Sequence, residues 1–161
     1  MTARPIVVRI AELAVARPPS CLAAHGLGSC VAVTLHDPIA RIGGLAHVLL
    51  PAPGARRDPR PARCATTAVP ALIERMVTAG ADPARLVARL AGGATLFAGP
   101  GGGGPESLGS RNVTAVRAAL AAGGIRVSAE WTGGDFGRSV TFDPDSGRID
   151  VSSVRHGSRA L

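Results

Sequence analysis

A chain of 161 residues, 46% hydrophobic and 18% charged, is long enough to bury a core without disulfides or metal, and 2% aromatic content means that the core is aliphatic. All 18 basic residues are arginine against 11 acidic ones, and the net charge of +7 raises nucleic acid or an anionic membrane as partners. Neither is expected, because the arginines are scattered and their densest group, Arg56, Arg57, Arg60 and Arg63, lies among prolines with no aromatic to stack a base, and no run approaches transmembrane length.

Residues 5–15, PIVVRIAELAV, read as a first strand or strand pair before the break at Pro18 and Pro19. Arg4, Arg9 and Glu12 interrupt this early apolar stretch, so it is not a signal peptide. CVAVTL at 30–35 alternates as a strand, Asp37 and Pro38 signal a turn, and GGLAHVLLP at 43–51 reads as the returning strand. A Pro- and Arg-rich solvated loop covers 51–63. A helix is expected over 66–79, capped by Thr66 or Thr67 and stopped by Gly80, with Pro70 tolerable only near its first turn. ARLVARLAGGA, 84–94, reads as a strand entering a Gly-Gly bend, and GPGGGGP, 99–105, as a mobile loop. A second helix runs from Ser110 as cap to Gly123, with Val113, Val116 and Leu120 on one face. IRVSAEW is then a strand, and RSVTFDPDSGRIDV a hairpin turning at DPDSG. Strands dominate and two helices interrupt them, so the expected fold class is α+β: a layered α/β sandwich with mixed, mostly antiparallel sheets, in one domain over 1–161.

The chemistry centres on HGLGSCVAV, residues 25–33, where Cys30 sits between a glycine-rich loop and a strand. A cysteine there can be a buried hydrophobe, a metal ligand, half of a disulfide or a nucleophile. Three cysteines, an odd number with no export signal, point to reduced thiols and a cytoplasmic location. If Asp37–Ala40 connects the two strands, His36 pairs with Arg41 and Cys30 falls opposite His47, with Cβ atoms about 5 Å apart. A slip of two residues leaves the two as diagonal neighbours on one face. His36, six residues from Cys30, is about 20 Å away. An imidazole beside the thiol would take its proton, and Gly26 and Gly28 would let backbone N–H groups approach a substrate as an oxyanion hole. Supporting candidates are Ser29, Gly28 and His25. His25 stays open among three roles: an alternative base, a third catalytic partner, or solvent-facing polarity. Cys21, His25 and Cys30 match no short metal-ligand spacing, so neither metal nor cofactor is expected. Cys21 could pair reversibly with Cys30, Cys64 reads as packing, and His156 as incidental.

Five ordered blocks, LGSCVAVTLHDP, GGLAHVLLP, RLAGGATLF, LGSRNV and TGGDFGRSVTFDPDSG, resemble the CheD family of chemoreceptor glutamine deamidases. The resemblance implies Cys30 as nucleophile, His47 as base, and a fold similar to cytotoxic-factor-type deamidase toxins. It also implies a chemoreceptor cytoplasmic domain as substrate, a CheC-type phosphatase as a further partner, and a thioester route from glutamine to glutamate with release of ammonia. Two positions depart from the family pattern. Ala24 stands where the family carries a threonine six residues before the cysteine, so turnover is expected to slow or the task to pass to Ser20 or His25. Arg89 stands where lysine is usual. The alternative reading is a non-catalytic receptor- or phosphatase-binding module of the same fold.

Overall fold

The computed structural model describes residues 4–56, 58–97 and 104–161. Ten strands and two α-helices follow in the order β1 (Ile6–Val7), β2 (Leu13–Ala16), β3 (Leu22–Leu27), β4 (Val31–Asp37), β5 (Ile42–Val48), α1 (Ala65–Thr78), β6 (Val87–Gly92), α2 (Leu108–Ala122), β7 (Arg126–Thr132), β8 (Arg138–Phe142), β9 (Ile149–Ser153) and β10 (Gly157–Ala160). They form two five-stranded sheets, ordered β1-β3-β8-β9-β10 and β2-β5-β4-β6-β7. All neighbours are antiparallel except β1–β3 and β6–β7, and α2 is the crossover that makes the second of these parallel. The mixed α+β class with mostly antiparallel sheets is therefore present.

Both faces of the second sheet are buried, and the alternation along β4 sorts its residues between two cores. Val31, Val33 and Leu35 pack with Leu72 and Met76 of α1 and Val113, Val116 and Leu120 of α2. Cys30 and Ala32 face the other way, into a cluster with Leu22, Ala24, Leu27, Leu45, Ala91, Val140 and Phe142. The layers therefore run sheet, sheet, helices, and the thiol lies between the sheets.

Several local expectations change. The β4–β5 connection is Pro38–Arg41, because Asp37 stays in the ladder opposite Ile42. Its buried carboxylate accepts the N–H groups of Ile39, Ala40 and Asp82 and the Arg85 guanidinium, which organises the turn just beyond it. The register thus slips by two residues from the pairing expected. The α1 cap is Cys64, with no side-chain cap bond, while Thr67 Oγ1 donates to the Pro61 and Cys64 carbonyls. The α2 cap is Ser107, whose hydroxyl accepts from the Ser110 N–H. Pro70 lies inside α1 rather than at its start. The loop expected at 99–105 falls largely outside the described residues.

Candidate active site

Cys30 ends a three-residue connection from β3 to β4. In β3 the ladder with β8 breaks between Ala24 and Leu27, where His25 and the positive-φ Gly26 bulge outward before Leu27 rejoins opposite Arg138. Gly28, Ser29 and Cys30 are then anchored through their carbonyls. Gly28 O accepts from Ala94 N–H at 2.8 Å, Ser29 O from Asn112 Nδ2 at 2.8 Å, and Cys30 O from Gly93 N–H at 2.8 Å. The approach of β6 is close enough that a Cβ on Gly92, whose φ is +109°, would stand 2.2 Å from Cys30 O. The α2 start rests on the same segment, since a Cβ on Gly109 would stand 2.4 Å from Ala94 O. The blocks RLAGGA and LGSRNV are thereby the two supports of the cysteine loop.

The ladder opposes Ala32 to His47 and Val31 to Val48, which puts Cys30 level with Leu49 and on the same face as His47, one diagonal step away. Diagonal Cβ atoms in such a pair lie about 7 Å apart, within reach of an imidazole and a thiol that turn toward each other. His47 is 1% exposed. Its Nδ1 lies 3.1 Å from the carbonyl of Val8. A carbonyl can only accept, so Nδ1 carries the proton and the neutral ring keeps a lone pair on Nε2. Among the described residues that buried Nε2 has no hydrogen-bond partner. The segment 8–12 also bonds the strand backbone there, Ala11 N–H to His47 O and His47 N–H to Glu12 O, both at 2.9 Å. Val8 is itself fixed by its N–H to Ala23 O at 2.7 Å.

Burial pushes the His47 pKa below its ordinary value, against the opposing pull of the Val8 carbonyl and the Glu12 charge. Burial likewise pushes the Cys30 thiol up, partly offset by the nearby dipole of its own backbone N–H. The resting pair is therefore neutral thiol and neutral imidazole. Neither the Ser29 nor the Cys30 N–H donates to a backbone carbonyl among the described residues, and Gly93 N–H to Cys30 O lacks its reciprocal bond. Beside the thiol, these two N–H groups are open to a further acceptor.

The remaining candidates scatter. His25 is exposed on the bulge. Ser20, half-buried, precedes β3 at the end away from Cys30, its N–H donating to Arg17 O. Cys21 sits at that same far end. The length of β3 between them, about 20 Å when extended, rules out a Cys21–Cys30 bridge, and all three thiols are free. Cys64 is buried at the start of α1. His36 Nε2 donates to Pro144 O, 2.9 Å away, at the opposite end of β4. Arg89 Nη1 donates to Gly147 O and so ties β6 to the β8–β9 turn. Ala24 is fully buried in the inter-sheet cluster with Cys30. No group of three or more His, Cys, Asp or Glu suited to a metal occurs among the described residues.

Sequence reasoning missed Val8, Asn112 and Arg138. Val8 acts through its main chain, which no side-chain pattern can signal. Asn112 stands in the block LGSRNV, whose pattern marks only a helix. Arg138 is 3% exposed, donates to the Gly133 and Gly92 carbonyls, and stacks 4.1 Å from the Phe136 ring, a burial that holds its pKa down to about 10. Beside Ser29 a shallow pocket is rimmed by Leu96 and Phe97, the latter 95% exposed.

The family described as CheD chemotactic sensory transduction matches residues 49–153. A protein of Geobacter metallireducens named probable chemoreceptor glutamine deamidase CheD 2 is 45% identical over 161 residues, covering 97% of this chain and 98% of that one. The Thermotoga maritima protein named chemoreceptor glutamine deamidase CheD is 42% identical over 153 residues, covering 95% and 94%. One from Caldanaerobacter subterraneus, named probable chemoreceptor glutamine deamidase CheD, is 39% identical over 162 residues and covers both chains fully. The family match begins two residues beyond His47, whereas the full-length likenesses span the cysteine loop and β5 as well.

Proposed function

The chain belongs to the CheD family, and from that premise we propose that it deamidates glutamine side chains of chemoreceptor cytoplasmic domains in chemotaxis, with Cys30 as nucleophile and His47 as base. The observation that carries this reading is His47 itself: Nδ1 tied to Val8 O, and Nε2 buried without a partner among the described residues, on the face it shares with Cys30. His47 Nε2 takes the thiol proton as Sγ attacks the carboxamide carbon, and the oxyanion forms against the Ser29 and Cys30 N–H groups. The imidazolium returns the proton to the leaving nitrogen, ammonia departs and a thioester remains. Water, deprotonated by His47, then releases glutamate and the free thiol.

Gly28 and Ser29 support the reaction through the connection that carries those N–H groups. His25 is exposed on the bulge and Ser20 precedes β3 at the end away from Cys30, and Val8 O fills the orienting role at His47 instead. Residues 1–161 act as one domain, in the cytoplasm, with a fold similar to that of cytotoxic-factor-type deamidases. The receptor is the partner, met over the apolar rim of Leu96 and Phe97, and a CheC-type phosphatase is a second partner. No metal or cofactor takes part.

One observation favours the alternative of a non-catalytic binding module: Ala24 supplies no hydroxyl to the inter-sheet site. Intact-mass analysis of a receptor cytoplasmic fragment after incubation separates the two. A stepwise mass gain with matching ammonia release, absent in Cys30→Ala, is the enzyme's result. Binding of the fragment with no mass change in the wild type would establish the module.

A further inference from the structure

Three consecutive carbonyls, Gly28 O, Ser29 O and Cys30 O, are turned into the protein, and the middle one is held differently from its neighbours. The outer two meet backbone N–H groups of the β6 end, whereas among the described residues Ser29 O meets only the side chain of Asn112, 0% exposed on α2. The second hydrogen of the same Nδ2 goes to Leu49 O at 3.0 Å. Leu49 is level with Cys30 in the β4–β5 ladder and two residues beyond His47. A primary amide holds its two hydrogens in one plane at a fixed angle, so one side chain sets the spacing between the nucleophile's loop and the base's strand. Reversal of the amide would face its oxygen against both carbonyls, which excludes the opposite orientation.

Ser29 C=O and Cys30 N–H belong to one peptide unit. In a trans peptide the two point in opposite directions, so whatever fixes the carbonyl aims the N–H. We infer that Asn112 is a positioning residue that aims the Cys30 N–H at the developing oxyanion by holding the Ser29 carbonyl toward α2. The inference rests on the deamidase reading above. Its effect belongs to the transition state: the glutamine carbonyl needs the donor most when its oxygen carries charge, and removing one such donor costs about 10²-fold to 10³-fold in kcat.

The test compares wild type with Asn112→Asp, which keeps shape but opposes an anionic oxygen to two carbonyls, and with Asn112→Ser, which shortens the side chain and keeps one donor. With a receptor fragment, kcat should fall about 10²-fold or more in Asn112→Asp and less in Asn112→Ser, at unchanged KM. The rate of Cys30 alkylation by iodoacetamide should stay at the wild-type value, since that displacement forms no oxyanion. An unchanged kcat in a folded variant overturns the inference. So does an alkylation rate that falls in parallel with kcat, because the thiol would then be misplaced rather than the donor. If Asn112→Asp does not fold, Asn112→Ser carries the same comparison. A wild type with no deamidation would fail the reaction itself, and the inference is then decided without substrate. Residual dipolar couplings should show the Cys30 N–H vector rotated in Asn112→Ser while Gly93 stays fixed, and an unrotated Cys30 vector overturns it.

Discussion

A histidine that donates through Nδ1 to a main-chain carbonyl has its tautomer chosen for it, and burial then decides how much proton the other nitrogen holds at neutral pH. In His47 burial wins and the pKa lies below the ordinary imidazole value, so the base form persists to lower pH than usual. Cys30 moves the other way, its thiolate forming only above the ordinary thiol range. The expected kcat/KM profile is a plateau through neutral pH, with its acid limb below about 6.5 and its alkaline limb above about 8.5. A limb centred near 7.5 would contradict the neutral pair. The same His47 shift bears on stability. The unfolded chain takes up this proton as pH drops below about 6.5 and the folded chain resists it, so stability present above that value is lost as pH falls through the folded pKa. Ala24 is the second residue with a sharp expectation. His47 Nδ1 already has Val8 O, and Ala24 is fully buried among packed neighbours. Ala24→Thr is therefore expected to lower stability by about 1–3 kcal/mol from overpacking without raising kcat, as thermal melts and steady-state rates would show. A tenfold gain in kcat would mean that Val8 O does not suffice.

At the level of elements, what could be read from sequence follows how strongly each segment states its own period. VAVTL and GGLAHV alternate around an Asp-Pro turn, so the β4–β5 hairpin and the shared face of Cys30 and His47 were legible. The register was legible only to within two residues, because the deciding group is the Asp37 carboxylate, whose partners Asp82 and Arg85 lie some 45 and 48 residues onward. The strand β3 was hidden by its own bulge: Gly26 and the residues after it read as loop. GSRA of β10 carries no β-branched or aromatic residue, and its four positions are exposed, so nothing in its pattern marks a strand. Ser110 reads as the cap because it directly precedes the apolar stripe, and the bond from its N–H to Ser107 Oγ, which moves the cap three residues earlier, has no signal of its own. Asp37 gives the prediction at this scale. The Arg85 guanidinium and three backbone N–H groups hold its carboxyl well below the usual range, so its contribution is present above about pH 4 and lost as pH falls through the folded value. Asp37→Ala should cost about 3 kcal/mol in urea unfolding at pH 7, and that cost should shrink in acid. A cost independent of pH would show that the charge is immaterial to the turn.

Across the whole molecule, the layering sets where chemistry and charge meet. The sheet-on-sheet interface holds Cys30 and His47 at one end of β4 and β5, and the helices sit on the far side of the second sheet, where α2 reaches back through Asn112 and Gly109 to the cysteine loop. The arginine-rich loop leaves β5 at this same end: Arg63 O accepts the N–H groups of Leu49 and Leu50, and Arg60 and Arg63 share Asp58, which is half the charge they carry. The chain as a whole is +7. Each deamidation turns a neutral glutamine into a carboxylate, so the receptor surface gains negative charge with every turnover while the enzyme stays positive. Attraction to product therefore exceeds attraction to substrate by an amount that grows with the number of sites converted. A receptor fragment with its target glutamines replaced by glutamate should inhibit more strongly than the same fragment with those glutamines made inert as asparagine. That difference should be large at low ionic strength and collapse near 1 M salt, where screening acts within about 3 Å. Inhibition constants for the two fragments across a salt series measure it directly, and equal constants at low salt would show that the basic surface plays no part in holding the receptor.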